Sequence, residues 1–204
     1  MQWSSILAVS FSPRKTIRRI LGENSSPPVL LLACLTGVVA SLNTGGYRWV
    51  GDRLPLWTVL VIAVLWGPVS GLGLLWVWSV AVRWSGAWLG GHATRSQVRT
   101  ALGLSAVPYA ASLVVWIAAL SMAGTDLFTS DTARLGDDSF PWTVTDLAAV
   151  LLPVLALWSA ILACHAVSEV QGYHSAWRGL WSLVIAGMMI AAFPLALIAV
   201  VLWL

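Results

Sequence analysis

Charged residues are scarce in this chain, and their scarcity excludes most water-soluble folds. Only 9% of the 204 residues are Asp, Glu, Lys or Arg, whereas 59% are hydrophobic. A soluble domain carries about 25% charged residues, so this composition does not supply the surface of one. The mean hydropathy of +0.85 points the same way. The sequence therefore predicts an integral membrane protein with no separate water-soluble domain.

Cysteine and catalytic motifs are also nearly absent. The two cysteines, Cys34 and Cys164, lie in apolar stretches and not in a C-x-x-C spacing, so we interpret them as small buried apolar residues. No nucleophile elbow, phosphate loop or zinc-protease signature occurs, and Gly71-Leu-Gly73 is a fragment inside an apolar stretch. We therefore expect no enzyme activity, no metal site, no cofactor and no nucleotide.

Five long apolar stretches are what the chain does contain. A hydrocarbon core about 30 Å thick needs roughly 20 residues of helix, and lipid leaves the backbone polar groups to pair within the protein. The predicted fold is all-α: a polytopic five-transmembrane-helix bundle that forms one membrane domain, residues 27–204. The predicted spans are residues 28–42, 56–82, 101–122, 144–167 and 180–204.

The segment before the first span predicts a short amphipathic helix over residues 12–22. Ile17, Ile20 and Leu21 form an apolar edge. Four basic residues surround the other face: Arg14, Lys15, Arg18 and Arg19. Such a helix lies in the headgroup plane and favours anionic lipid. We expect residues 1–26 to be a cytoplasmic interfacial helix, either an orientation anchor or a site for lipid or a partner.

The distribution of Lys and Arg predicts the orientation. Eight of the eleven basic residues fall on the N-terminal segment and on the second and fourth connectors. Basic residues concentrate on the cytoplasmic side of a membrane. We therefore predict a multi-pass protein of the inner (plasma) membrane, with a cytoplasmic N-terminus and an outer C-terminus. The net charge of +3 does not indicate nucleic-acid binding, because the basic residues lie on membrane-proximal connectors.

Glycine and proline mark the predicted spans. Gly67 and Gly71 form a G-x-x-x-G, which predicts a close contact between helices. Each of the last four spans contains one proline: Pro68, Pro108, Pro153 and Pro194. A proline inside a helix leaves the carbonyl four residues earlier without its donor. Because such broken helices line substrate sites in transporters, these prolines keep a transport function open.

One group of polar residues predicts a cluster near the cytoplasmic surface. Glu169 and His165 are four residues apart and share a helix face. The arginines expected on the same side of the membrane are Arg95, Arg99 and Arg178. In one interpretation Glu169 pairs with one of these arginines; in another the arginines bind lipid phosphate. A third interpretation, a metal ion held by Glu169, His165 and His92 or His174, lacks a recognised motif.

Three segments resemble bacterial members of the Yip1 family over roughly residues 10–200. SPRKTIRRIL precedes the first span as in that family, and GGHATRSQVRTALGLSAVPYA resembles its glycine-rich turn, polar helix start and third-span proline. SEVQGYHSAWRGL resembles the connector between its last two spans. The family-type residues on the matching positions are Gly90, Gly91, Gln97, Pro108, Glu169 and Gly172.

The resemblance implies a five-span bundle with a cytoplasmic N-terminus. Eukaryotic relatives are associated with Rab GTPases, but this chain lacks their long N-terminal region and their D-L-Y-G-P motif, so that role is not carried over. We expect a non-enzymatic, self-associating protein that organises membrane lipid or a protein partner. The alternative is a transporter or scramblase of a lipid or small amphiphile. A cavity lined by Trp76, Ser105, Tyr109 and Glu169 would favour that alternative.

Overall fold

All regular structure that is described in this chain is helical. The computed structural model describes residues 13–22, 28–130 and 142–203. Its α-helices are α1 (Pro13–Gly22), α2 (Val29–Tyr47), α3 (Leu56–Trp88), α4 (Arg95–Ser105), α5 (Val107–Ala123), α6 (Trp142–Gln171) and α7 (Ala176–Trp203). Two short 3-10 helices, Val50–Asp52 and Gly124–Phe128, follow α2 and α5. The all-α prediction is confirmed for these residues.

Four described stretches are long and apolar enough to cross a membrane. They are Val29–Tyr47, Leu56–Trp88, Arg95–Phe128 and Asp146–Gln171, and the apolar part of α7 that is described, Ala176–Ala192, is shorter. The count of five spans stays a prediction. The helices also extend beyond the predicted apolar runs, since α3 continues to Trp88 and α6 to Gln171. Helix ends are set by capping groups and not by hydropathy, which explains the difference.

The predicted third span is two helices and not one kinked helix. α4 ends at Ser105, and α5 begins at Val107 after a turn at Ala106. Pro108 occupies the first turn of α5, where the amide that proline lacks needs no helical partner. The prediction of an internal kink at Pro108 is therefore wrong. Pro68 and Pro153 do lie inside α3 and α6, as predicted.

The helices form two compact units. The first unit comprises Met1–Val29, Gly73–Ser105 and Ala160–Leu204, and the second comprises Leu30–Leu72 and Ala106–Ser159. Charge differs sharply between them: the first unit has eight basic and two acidic residues, whereas the second has three basic and six acidic. The basic residues predicted to lie on the cytoplasmic side are therefore all in one unit.

Each unit has its own apolar core. The core of the first unit contains Ala81, Val82, Ala93, Val98, Val167 and Ala186. The core of the second unit contains Val39, Leu42, Val59, Ala63, Trp116 and Phe128. In the second unit, α2 and α3 also meet backbone to backbone, because a Cβ atom on Gly37 would overlap the carbonyl oxygen of Gly67. The helix contact predicted from the G-x-x-x-G motif is confirmed.

Helix α1 packs into the first unit by its apolar edge. Ile17 and Ile20 are buried, and α1 contacts α4. Ile17 and Ile20, two residues of the predicted apolar edge, are thus covered by protein. Lys15, Arg18 and Arg19 remain exposed on α1. The interfacial location of this helix stays a prediction.

Candidate functional site

The C-terminus of α3 is closed by a glycine in the left-handed conformation. Gly90 has φ +81°, which side chains with a Cβ atom rarely adopt. The amide of Gly91 donates to the carbonyl of Gly86 (2.8 Å), and the amide of Gly90 donates to that of Ala87 (3.1 Å). This pair of hydrogen bonds is a Schellman motif, which satisfies carbonyls that the helix end would leave unpaired.

Helix α6 ends in the same way. Gly172 has φ +78°, its amide donates to the carbonyl of Glu169 (3.2 Å), and the amide of Tyr173 donates to that of Ser168 (2.8 Å). The chain then turns, and the hydroxyl of Ser175 accepts a hydrogen bond from the amide of Trp177 (3.3 Å) at the start of α7. Gly90 and Gly172 therefore have the same structural role at two helix ends.

Side chains from the α6 end bind the α3 end directly. The amide nitrogen of Gln171 donates to the carbonyl of Val82 (3.2 Å), and its oxygen accepts from the amide of Ala93 (3.2 Å). The hydroxyl of Tyr173 donates to the carbonyl of Gly86 (2.7 Å). Gln171 is 2% exposed and Tyr173 6% exposed, so these bonds are shielded from solvent. We call Gln171, Tyr173 and the backbone groups of Val82, Gly86 and Ala93 that they bind the polar clasp.

At two positions only glycine fits, because the side chains of the polar clasp lie against the backbone there. A Cβ atom on Gly86 would overlap the side-chain amide of Gln171. A Cβ atom on Gly91 would overlap the Gln171 oxygen and lie 2.7 Å from the Tyr173 hydroxyl. The glycine-rich turn is therefore shaped by the two polar side chains that pack on it.

Two buried serines extend the polar clasp to α7. Ser85 and Ser182 are each 0% exposed, and their hydroxyl oxygens lie 3.0 Å apart. The hydroxyl of Ser85 also lies 2.8 Å from the carbonyl oxygen of Ser182. Shared hydroxyl and carbonyl groups hold helices together where no hydrophobic force acts between them. Sequence reasoning did not predict this pair, because single serines in apolar helices carry no local signal.

The start of α4 is capped by Thr94 and Gln97, whose spacing in the sequence is that of a capping box. The amide of Thr94 donates to the side-chain oxygen of Gln97 (2.8 Å), and the amide of Gln97 donates to the hydroxyl of Thr94 (3.3 Å). These reciprocal bonds satisfy amides at the start of the helix. Gln97 therefore caps the start of α4.

Glu169 forms an ion pair with α1 and not with a connector arginine. The Nη2 atom of Arg18 lies 2.8 Å from Oε1 of Glu169, whose side chain is 14% exposed against 77% for Arg18. The prediction that Arg95, Arg99 or Arg178 pairs with Glu169 is therefore wrong. Arg14 also donates to the carbonyl of His174 at 3.4 Å. The two bonds fasten α1 to the end of α6 and to the connector that follows it, a contact between segments about 150 residues apart.

The other basic candidates lie in the same unit. The guanidinium of Arg95 stacks over the ring of Trp76 at 4.6 Å, a cation–π contact. Lys15, Arg99 and Arg178 are exposed. Burial raises the pKa of the Tyr173 hydroxyl, and the charge of nearby Arg178 opposes that rise. Tyr173 is thus a neutral hydrogen-bond donor at pH 7.

No metal centre is formed in the part of the chain that the structure describes. There, no group of three or more His, Cys, Asp or Glu side chains is placed to hold an ion. His165 and Glu169 share a helix, but Glu169 is engaged by Arg18. The metal interpretation of this cluster gains no support.

The second unit contains a cavity of about 550 Å³. It is lined by Asn43, Gly46, Tyr47, Trp49, Tyr109, Trp116, Leu127, Ala149, Leu152, Pro153 and Ala156. Of the four residues expected around a transport cavity, only Tyr109 lines it. Trp76, Ser105 and Glu169 belong to the first unit.

Comparison with known protein families identifies the chain. The family model of the Yip1 domain matches residues 7–203, nearly the whole length. Curated proteins and solved structures give no match. The matched region includes all the described helices and the polar clasp. With its long apolar helices, the chain belongs to the Yip1 domain family of membrane proteins.

Proposed function

We propose that this protein is a non-enzymatic organiser of anionic lipid in the inner (plasma) membrane. The basic segments of the first unit, namely α1 and the two connectors that follow α3 and α6, would lie at the cytoplasmic face, with the N-terminus inside and the C-terminus outside. A negatively charged protein partner is the related possibility that the same surface allows, and self-association would multiply the number of binding surfaces. The proposal rests on one observation, the separation of charge between the two units.

Eight basic residues against two acidic residues give the first unit a strongly positive character. Exposed members stand on α1, α4 and α7, and Lys15, Arg99 and Arg178 are three of them. Each basic residue near an anionic membrane surface contributes about 1 kcal/mol. The guanidinium fork also matches two phosphate oxygens. Three such residues therefore support preferential binding of anionic lipid by roughly 3 kcal/mol.

The polar clasp supports this role by fixing the backbone that carries the basic residues. Gln171 and Tyr173 hold the connector between α3 and α4 against the connector between α6 and α7. The Arg18–Glu169 pair holds α1 beside them. A fixed platform loses less conformational entropy when a headgroup binds than mobile side chains on mobile loops would.

The test is retention of lipid by the full-length protein. Protein purified from mixed phosphatidylcholine and phosphatidylglycerol vesicles is analysed by native mass spectrometry. We expect wild type to retain phosphatidylglycerol, and the Lys15→Gln, Arg99→Gln, Arg178→Gln triple variant to lose it. Raised salt should weaken retention, since exposed charges are screened.

The matched control removes exposed basic residues from the second unit. Arg48→Gln combined with Arg53→Gln lowers net charge in the same direction, and both side chains are exposed. We expect this variant to retain phosphatidylglycerol like wild type. Equal loss in the two variants would show a nonspecific effect of net charge and would contradict the proposed surface.

A second candidate function, movement of a lipid or small amphiphile, is favoured by the cavity beside Pro153. Proline inside a helix frees a backbone acceptor, and such helices line transport sites. Liposomes with a fluorescent lipid and a membrane-impermeant quencher test this function. Lipid exchange between leaflets at the rate of empty vesicles would refute it.

A further inference from the structure

The cavity of the second unit has no charged residue in its lining, which contains three aromatic residues besides the Tyr109 ring. Its volume of about 550 Å³ falls in the range of ligand pockets, about 300–1,000 Å³. An ion or a phosphate group would find no counter-charge there. A ligand of this cavity is therefore uncharged and largely apolar.

The hydroxyl of Tyr109 is a hydrogen-bond donor that the lining offers to a ligand. The indole Nε1 of Trp116 only donates, so the Asn43 atom 3.1 Å from it is the acceptor Oδ1. The other end of the amide, Nδ2, then donates to the Tyr109 hydroxyl oxygen at 2.9 Å. Because that oxygen accepts from Asn43, the hydroxyl hydrogen of Tyr109 remains to be donated elsewhere.

Tyr109 is held in place from two sides. Its backbone amide, in the first turn of α5, donates to the hydroxyl of Ser159 on α6 at 2.9 Å. Its side chain is held by Asn43, which Trp116 holds in turn, and Trp116 stacks on buried Phe128 with a centroid distance of 5.7 Å. The donor is therefore preorganised, which lowers the entropic cost of binding.

One acceptor in the lining lacks its usual partner. Pro153 has no amide hydrogen, so the carbonyl of Ala149 has lost the donor that continues a regular helix. Both Ala149 and Pro153 line the cavity. In lipid such a carbonyl needs another donor, and a ligand hydroxyl supplies one.

The rim of the cavity is open and strained. Tyr47 is 84% exposed and Trp49 48% exposed, and both line the cavity, so the lining reaches the surface of the second unit. Trp49 has φ 50°, the only left-handed non-glycine residue among the described residues. Such strain costs on the order of 1–3 kcal/mol and concentrates at binding sites.

We propose that this cavity binds the glycerol end of a neutral glyceride. The Tyr109 hydroxyl donates to an ester carbonyl, the free glyceride hydroxyl donates to the Ala149 carbonyl, and the first part of an acyl chain packs on Trp116 and Leu152. This site is independent of the proposed lipid-organising surface, because it contains no charge and belongs to the other unit.

Equilibrium binding of radiolabelled dioctanoylglycerol to full-length protein in phosphatidylcholine nanodiscs tests the proposal. We expect saturable binding to wild type. Ala156→Leu, which fills the cavity, should weaken binding at least tenfold, whereas Ala111→Leu, the same change on the exposed face of α5, should not alter it. Tyr109→Phe should weaken binding threefold to tenfold, the effect of one hydrogen bond.

A dialkyl glycerol ether lacks the ester carbonyls. It tests the Tyr109 contact by a change in the ligand, so the test on wild type does not depend on the folding of a variant. It should bind wild type threefold to tenfold more weakly than the ester does, and bind Tyr109→Phe as it binds wild type. Equal binding of ester and ether to wild type would overturn the carbonyl contact. Equal ester binding by wild type and Ala156→Leu would overturn the site. The Lys15→Gln, Arg99→Gln, Arg178→Gln variant should bind the ester and the ether with the affinities of wild type. The test of the cavity is therefore independent of the test of the proposed function.

Discussion

Replacing single glycines by alanine in the first unit should change stability in different directions, depending only on local geometry. Gly73 lies in α3, is exposed, and an added Cβ atom meets nothing within 4 Å. Gly73→Ala should stabilise by about 0.5–1 kcal/mol through reduced backbone freedom in the unfolded chain. At Gly90 the added Cβ is also free of contacts, but φ is +81°. Gly90→Ala should therefore destabilise by about 1–2 kcal/mol.

Gly91→Ala should be the most damaging of the three. The new Cβ atom overlaps the Gln171 side chain and crowds the Tyr173 hydroxyl. Both side chains must shift, and the three hydrogen bonds of the polar clasp, at 3.2, 3.2 and 2.7 Å, are lost or lengthened. At about 0.5–1.5 kcal/mol each, the loss is about 3 kcal/mol.

Thermal unfolding in detergent, followed by intrinsic fluorescence or differential scanning calorimetry, measures this series. For a chain of this size 1 kcal/mol corresponds to roughly 2–4 °C. We expect Gly73→Ala to melt slightly above wild type, Gly90→Ala a few degrees below it, and Gly91→Ala roughly 6–12 °C below it. If Gly91→Ala melts at or above Gly90→Ala, the polar clasp does not contribute the stability derived from its hydrogen bonds.

Three further outcomes follow from single contacts. A double-mutant cycle of Arg18→Ala and Glu169→Gln should give a coupling energy of about 0.5–1 kcal/mol, a small value because Arg18 is largely exposed. If the effects of the two substitutions on stability are additive, the ion pair does not contribute to stability. The backbone amide of Ser130 donates to the Asp52 carboxylate and holds the pKa of that carboxyl below its ordinary value. This contact therefore stabilises the fold at neutral pH and is lost as pH falls through the lowered pKa. The NMR shift of the Ser130 amide should move below that pH, and Asp52→Asn should abolish the movement. Gly37→Ala should lower the free energy of unfolding by about 1–3 kcal/mol, the cost of overpacking, because the new Cβ atom forces α2 away from α3. The melting temperature should fall accordingly, and an unchanged value would rule out the close contact.

Local signals in the sequence were sufficient for some features. Thr94 and Gln97 have capping-box spacing, and the structure forms that box. Gly67 with Gly71 indicated a helix contact, which α2 completes at Gly37. The residues of the capping box are close in sequence. The G-x-x-x-G motif itself creates the flat surface on which another helix can pack.

Features that depend on distant segments were not predictable. The partner of Glu169 is Arg18, and nothing in the spacing of arginines distinguishes it from Arg95, which stacks on Trp76 instead. Pro108 was expected to kink a helix, but it begins one, because the chain breaks at Ala106, a position without a turn signal. Such outcomes are decided by packing between elements that are far apart in the chain.

Most of the family-type residues have roles in the scaffold. Gly90 and Gly172 close helix ends, Gly91 admits the polar clasp, Gln97 caps α4 and Glu169 anchors α1. None of these roles requires a particular ligand. These contacts account for part of how the first unit is held together, and we expect ligand choice to depend on side chains outside this set. Changes at the exposed basic residues or in the cavity lining should accordingly weaken binding with little effect on the melting temperature, whereas changes at the family-type residues should mainly lower the melting temperature.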